Sequence, residues 1–212
     1  MVLILDHTRS DRASKLRRRI LDMKIPCAVS AVWSCADLLP PFCIITFADV
    51  LDKVYHAPLE KYKIFVLTEA LVNSALHVIA CAAENELLHH VVNTVYECAG
   101  IKEEHILDGA LVLHDGFLLT QECLFHRCFP LKLSDTECSI LLLLLLTGGC
   151  HPAKHLTAYC FPDAYKGDTS TSVSSAVYRI NKNAESQSGA KLISYSRKHG
   201  GYILDVRYTK EI

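Results

Sequence analysis

Through its first hundred residues the chain alternates strand-length apolar runs with amphipathic segments, and this alternation is the tightest constraint on its fold. The apolar runs fall at residues 2–5, 27–33, 43–47, 64–67 and 76–81. Residues 10–23 place Ala13, Leu16, Ile20 and Leu21 at helical spacing, with Arg12, Lys15, Arg17, Arg18 and Arg19 on the other faces. Residues 48–62 and 69–75 read as shorter helices, and 84–98 as a long one with Leu87, Leu88, Val91, Val92 and Val95 inward. Strands that alternate with helices imply a parallel sheet covered on both faces, an α/β unit over residues 1–99.

Residues 100–108 are polar and acidic and read as a linker. A second unit, 109–212, opens with short strands between 111 and 131, with a turn at Asp115-Gly116. From Leu133 the pattern becomes helical. Ser134-Asp135-Thr136-Glu137 is a capping box, in which the serine hydroxyl takes a helix amide and the glutamate reaches back to the serine amide. The apolar helix it starts should stop at Gly148-Gly149, where a left-handed cap fits. A shorter helix over 153–161 ends at Pro162, and a third runs from about 170 to 184. Two strands in 192–206 then flank Lys198-His199-Gly200-Gly201.

The third helix carries the first functional signal. Val173, Val177, Ile180 and Ala184 form one apolar stripe, while Thr171, Ser172, Ser175, Tyr178, Arg179 and Lys182 lie on the opposite face or at its margin, without an acid. Small hydroxyls near a helix N-terminus allow close approach to phosphate, and longer cations further along reach phosphates or guanine edges. An ordinary solvated face is the competing explanation. The hairpin weighs against it: Arg197, Lys198 and His199 gather cations at a glycine-bearing tip of a size to enter a narrow groove. Residues 169–212 hold seven basic and three acidic residues, although the whole chain stands at −1. Three helices followed by a basic hairpin make a winged helix-turn-helix.

Leu131-Lys-Leu-Ser-Asp-Thr-Glu137, the run from Thr171 to Lys182, and Leu192 to Tyr202 together resemble the effector domain of OmpR/PhoB-type response regulators. The resemblance spans about residues 106–207 and implies an α+β winged helix-turn-helix domain following a receiver-like, doubly wound (βα)5 domain. It implies duplex DNA as partner, a homodimer on repeated half-sites, and RNA polymerase contact through the loop 162–168. It places Arg179 and Lys182 at basic positions of the recognition helix and Arg197 and Tyr202 in the wing. Ala176 and Asn181 stand where the family often has histidine and arginine.

The N-terminal half departs from the receiver pattern. Phosphoryl transfer to aspartate needs an acid at the end of the third strand, acids near the first strand for Mg²⁺, a hydroxyl after the fourth and a lysine after the fifth. Asp6 and Thr68 remain, but His7 replaces a second acid, Phe47 occupies the acceptor position, and Ala80 falls at the lysine position. Asp49 would be a displaced acceptor in the following loop. The expectation is a receiver-like domain that works without aspartyl phosphorylation, as a dimerisation or signal-input module; the elements from which the family forms its dimer surface fall near residues 71–98, where its charged interface pattern is not evident.

The opening residues lack the basic stretch of a signal peptide, and no apolar run approaches the roughly 18 residues of a membrane span, so a cytoplasmic protein with reduced thiols is expected. Ten cysteines include no CxxC. Cys27, Cys35, Cys43 and Cys81 read as small core residues. Cys123 and Cys128 with His126, and Cys150-His151 near His155, are the candidates for redox or metal chemistry, each short of a four-ligand set. His89-His90 read as surface residues. No motif orients a nucleophile or cradles a phosphate, so neither an enzyme nor a cofactor or metal is expected. The alternatives are a ligand- or cysteine-gated version of the regulator, or a non-enzymatic signalling adaptor.

Overall fold

The computed structural model describes residues 1–6, 8, 10–31, 41–49, 51, 62–68, 78–101, 106–107, 110–113, 116–120, 122–161 and 170–205. The chain divides into two compact units, Met1–Gly100 and Ile101–Ile212.

The first unit holds β1 (Val2–Leu5), α1 (Asp11–Asp22), β2 (Cys27–Ser30), β3 (Cys43–Phe47), β4 (Lys63–Leu67), β5 (Val78–Cys81) and α2 (Glu84–Cys98). Its strands form one parallel sheet in the order β2-β1-β3-β4-β5, which fits a receiver-like α/β domain. β1 and β3 are buried at every position, as strands covered on both faces must be. α1 buries Ala13, Leu16, Ile20 and Leu21, the predicted face. Arg17 is an exception to its predicted outward position. It is buried, and its Nε donates to the Cys27 carbonyl at 2.8 Å, tying helix to sheet. On α2, Thr94 is buried where Val92 was expected. His90 is also more than a surface residue, stacking on Phe65 with centroids 5.9 Å apart. The helices expected over 48–62 and 69–75 lie almost wholly outside the described residues.

The second unit begins earlier than the linker reading placed it. β6 (Ile106–Leu107) pairs with β7 (Ala110–Val112), so the segment 100–108 contains the first strand of a new sheet. β8 (Phe117–Leu119), β9 (Leu124–His126) and β10 (Phe129–Leu131) complete an antiparallel sheet in the order β10-β9-β8-β7-β6. Three helices follow: α3 (Asp135–Thr147), α4 (Ala153–Cys160) and α5 (Ser170–Ser188). The hairpin β11 (Ile193–Ser196) and β12 (Gly201–Leu204) closes the described chain.

α3 explains the leucine run. It packs against α4, α5 and β12, and every residue from Glu137 to Leu144 is buried, so the leucines fall on a stretch covered on all sides. Each such leucine contributes about 1.5–3 kcal/mol of burial. Both halves of the capping box form at its start, and Gly148 takes the left-handed conformation at its end, φ 60°. None of the described helices is long and apolar enough to cross a membrane.

Candidate functional site

Outside its buried stripe, α5 presents its side chains in three strips, two tied to different neighbours and one open. Val173, Ala176, Val177, Ile180 and Ala184 are buried, so Ala176 is a core residue and not part of the outward face. The helix runs one turn beyond the expected end, so Glu185 belongs to it, 3.8 Å from Lys191.

One flank is tied to the hairpin. The Asn181 amide donates to the Ile193 carbonyl at 2.8 Å, while its oxygen accepts from Leu192 N at 3.1 Å and Ile193 N at 2.9 Å. Ser174 Oγ and Tyr202 OH are 3.0 Å apart. The hairpin is held from below as well: His151 and Tyr202 exchange two backbone hydrogen bonds of 2.8 Å. That bridge passes close to Gly201, where a Cβ would lie 2.6 Å from the His151 carbonyl carbon and oxygen, so only glycine fits.

The other flank is tied to the start of α3. Arg179 Nε donates to Glu137, a carboxylate that is only 4% exposed and also accepts from Ser134 N at 2.9 Å. Asn183 donates to the Lys132 carbonyl at 2.7 Å. Arg179 thus differs from its sequence reading: its guanidinium is committed in part to an internal carboxylate. Nothing in the sequence pattern announced the pair, because its partners lie 42 residues apart.

Between the flanks runs an open ridge. At about 3.6 residues per turn, Ser175, Tyr178 and Lys182 fall on one outward strip, and the Thr171 side chain lies outside the described residues. Ser172, Ser175 and Lys182 are exposed, and Tyr178 is 67% exposed. Arg197, Lys198 and His199 are exposed at the hairpin tip, where Ser196 Oγ accepts from His199 N at 3.3 Å. Tyr195 stands edge-on to Tyr202, centroids 5.2 Å apart, and is itself 57% exposed. Within one unit this gives a helix ridge of hydroxyls, a phenol and a lysine, with a cationic tip on the hairpin that the same helix holds.

The C-terminal edge of the parallel sheet is where a receiver would hold Mg²⁺ and phosphate. Asp6, buried at the end of β1, is fully engaged. Its Oδ1 accepts from Thr8 N at 3.0 Å and Thr8 Oγ1 at 2.6 Å, and its Oδ2 from Ser10 N at 3.1 Å and the Ser10 hydroxyl. Burial pushes this carboxyl up, but the hydrogen bonds outweigh it and bring it to about 2. Asp6 therefore organises the entry to α1 and is not a remnant free to ligate a cation. Phe47 ends β3 and is buried, with the Arg12 guanidinium 4.0 Å from its ring centroid. The same guanidinium donates to both oxygens of Asp49, at 2.7 and 2.8 Å. Arg12, which the sequence showed only as one of several outward basic residues, thus places a fixed cation beside the acceptor position. Thr68 follows β4, its amide bonded to the Cys81 carbonyl at 2.9 Å. β5 ends at Cys81, one residue beyond Ala80.

The cysteines divide by environment. Burial pushes the Cys27 and Cys43 thiols up to about 12, and burial followed by the Glu86 charge pushes Cys81 up to about 11. These are core residues; Cys35 lies outside the described residues. Cys123 and Cys128 sit at opposite ends of the β9–β10 hairpin, and the His126 ring is buried against Phe117 with centroids 4.6 Å apart. They do not converge. His151 is buried beneath the hairpin, its Nε2 2.6 Å from Thr147 Oγ1, and burial followed by nearby His155 holds its imidazole down to about 4. Among the described residues no group of three or more His, Cys, Asp or Glu is placed to hold a metal. The loop 162–168 lies outside the described residues.

No protein-family model and no curated protein sequence matches the chain. Three solved structures each align with 96% of this chain over 98% of their own length. One represents a novel family of redox sensors in the streptococci evolved from two-component response regulators, at 11% identity and TM-score 0.39. The others are RitR mutants with a cysteine changed to serine, at 12% and 0.38, or to aspartate, at 11% and 0.37. These are similarities of the chain and assign no family.

Proposed function

We propose that this protein is a sequence-specific, double-stranded-DNA-binding transcriptional regulator, cytoplasmic and homodimeric, whose C-terminal unit is a winged helix. The observation that supports it most is the three-strip organisation of α5. Both flanks are consumed by internal hydrogen bonds, which leaves one protruding ridge and the basic hairpin tip for an anionic partner. A helix ridge of this kind enters a major groove while the tip of the wing reaches the neighbouring minor groove. Thr171, Ser172 and Ser175 approach the phosphate backbone, and Lys182, Arg197, Lys198 and His199 supply the cations.

The N-terminal unit works without aspartyl phosphorylation, as a dimerisation or input module. Asp6 has no oxygen to spare for Mg²⁺, the acceptor position is a phenylalanine, and the Arg12–Asp49 pair lies beside it. In a cysteine-gated version of the regulator the exposed thiols among the described residues are Cys98 and Cys128, since Cys27, Cys43 and Cys81 are held protonated in the core.

Selection of duplexes from a random library by the full-length protein tests the reading. A defined site should emerge, and Lys182→Ala should weaken binding to all duplexes similarly and lower the salt slope by about one. No enrichment of any duplex would refute DNA recognition. Acetyl phosphate with Mg²⁺ should leave the protein's mass unchanged, and stoichiometric labelling at Asp49 or Asp6 would refute the phosphate-independent unit.

A further inference from the structure

We infer that Tyr178 determines specificity by packing its ring on the 5-methyl group of a thymine in the major groove. The inference rests on the DNA-binding reading and assigns the chemistry of its central contact. Three observations lead to it. First, the ridge of α5 between its two clamped flanks contains one large side chain with an apolar face, Tyr178, and it is 67% exposed. Second, the neighbouring arginine is held back in part. Arg179 donates its Nε to Glu137, which takes one of the two-donor edges with which a guanidinium reads guanine O6 and N7, while the side chain stays 57% exposed. Third, the remaining ridge residues, Ser175 and Lys182, carry a hydroxyl and a single flexible ammonium, which suit phosphate oxygens better than a fixed base edge.

In the major groove the 5-methyl of thymine is the only apolar feature of a base-pair edge, so it is the feature an exposed aromatic ring can select. The positions of the flanks fix where the ring goes. Asn181 and Ser174 hold the hairpin on one side, and Arg179 and Asn183 hold the start of α3 on the other, so the strip bearing Tyr178 is the part of the helix left to face the groove floor.

The test uses the full-length protein and the duplex it enriches from a random library, with each thymine replaced singly by deoxyuridine. That change deletes one methyl group and keeps the base-pairing edge and O4. At one position per half-site the wild type should bind about fourfold more weakly, the equivalent of one methyl-sized apolar contact at ~0.8 kcal/mol. Tyr178→Ala should bind the thymine duplex more weakly but lose the difference between thymine and deoxyuridine there. Tyr178→Phe should keep the difference, since the ring and not the hydroxyl makes the contact. Equal wild-type affinity for every deoxyuridine duplex would overturn the inference while leaving DNA binding intact. So would a methyl preference that persists in Tyr178→Ala, or one lost in Tyr178→Phe. Failure to bind any duplex would overturn both this contact and the DNA-binding reading.

Discussion

Replacing Arg179 by alanine should loosen the packing of α5 on the start of α3 before it affects any base contact. Glu137 is 4% exposed and accepts from two donors, Ser134 N and Arg179 Nε. Removing a hydrogen bond to a charged, buried acceptor costs about 1.5–3 kcal/mol. The arginine side chain is 57% exposed, so solvent can partly replace it and the lower end of that range applies. A loss of about 1.5 kcal/mol corresponds to a roughly tenfold fall in amide protection wherever the local opening separates α5 from α3. Hydrogen exchange on the intact chain, followed by mass spectrometry, should show this in peptides from residues 131–147 and 170–188 and not in peptides from the first unit. Glu137→Ala should cost more, because it also removes half of the capping box, worth a further ~1 kcal/mol. In the double mutant the arginine's contribution should vanish, giving a coupling energy of about 1 kcal/mol or more. Unchanged protection in Arg179→Ala, or strictly additive effects in the double mutant, would refute the brace and return Arg179 to the exposed ridge.

Asp6→Asn should destabilise the first unit by about 2 kcal/mol, since a neutral amide cannot accept all four donors that the carboxylate holds. The folded-state pKa is depressed from 3.8 to about 2, so this stabilisation is fully present above about pH 4 and fades as the pH falls toward 2. Acid titration followed by circular dichroism should show the mutant losing that part of the wild type's acid sensitivity. Gly201→Ala should displace the hairpin from the His151 bridge, because the new methyl would lie 2.6 Å from a backbone carbonyl that cannot yield cheaply. A cost of roughly 1–3 kcal/mol is expected, read as faster exchange of amides 193–204. A fully protected hairpin in that variant would show that the backbone there adjusts.

Much of the architecture was legible because it depends on local pattern. The apolar period of α1 and the strand-length runs reported which faces are buried, and Ser134 with Glu137 announced a helix start four residues in span. What failed to show was whatever depends on distant partners. Arg17, Arg12 and Arg179 all looked like outward cations, yet one is bonded inside the sheet, one lies over Phe47, and one braces two helices. Asp6 looked like a surviving metal ligand because its position matched, but a position does not reveal that neighbouring hydroxyls have taken both oxygens. Cys123 and Cys128 looked close because they are five apart, and a hairpin places such residues at opposite ends.

By itself the sequence determined that an α/β unit with phenylalanine at the end of its third strand precedes a mixed unit with a basic C-terminal stretch, since period, caps and residue types are properties of the chain alone. Only the tertiary structure decided which cations are free. A charged side chain is available to a partner when no internal group of opposite polarity lies within hydrogen-bond reach, and that depends on packing between elements far apart in the chain. For α5 the packing tied Arg179 Nε, Asn181 and Asn183 to internal partners and left Tyr178 and Lys182 on the open ridge.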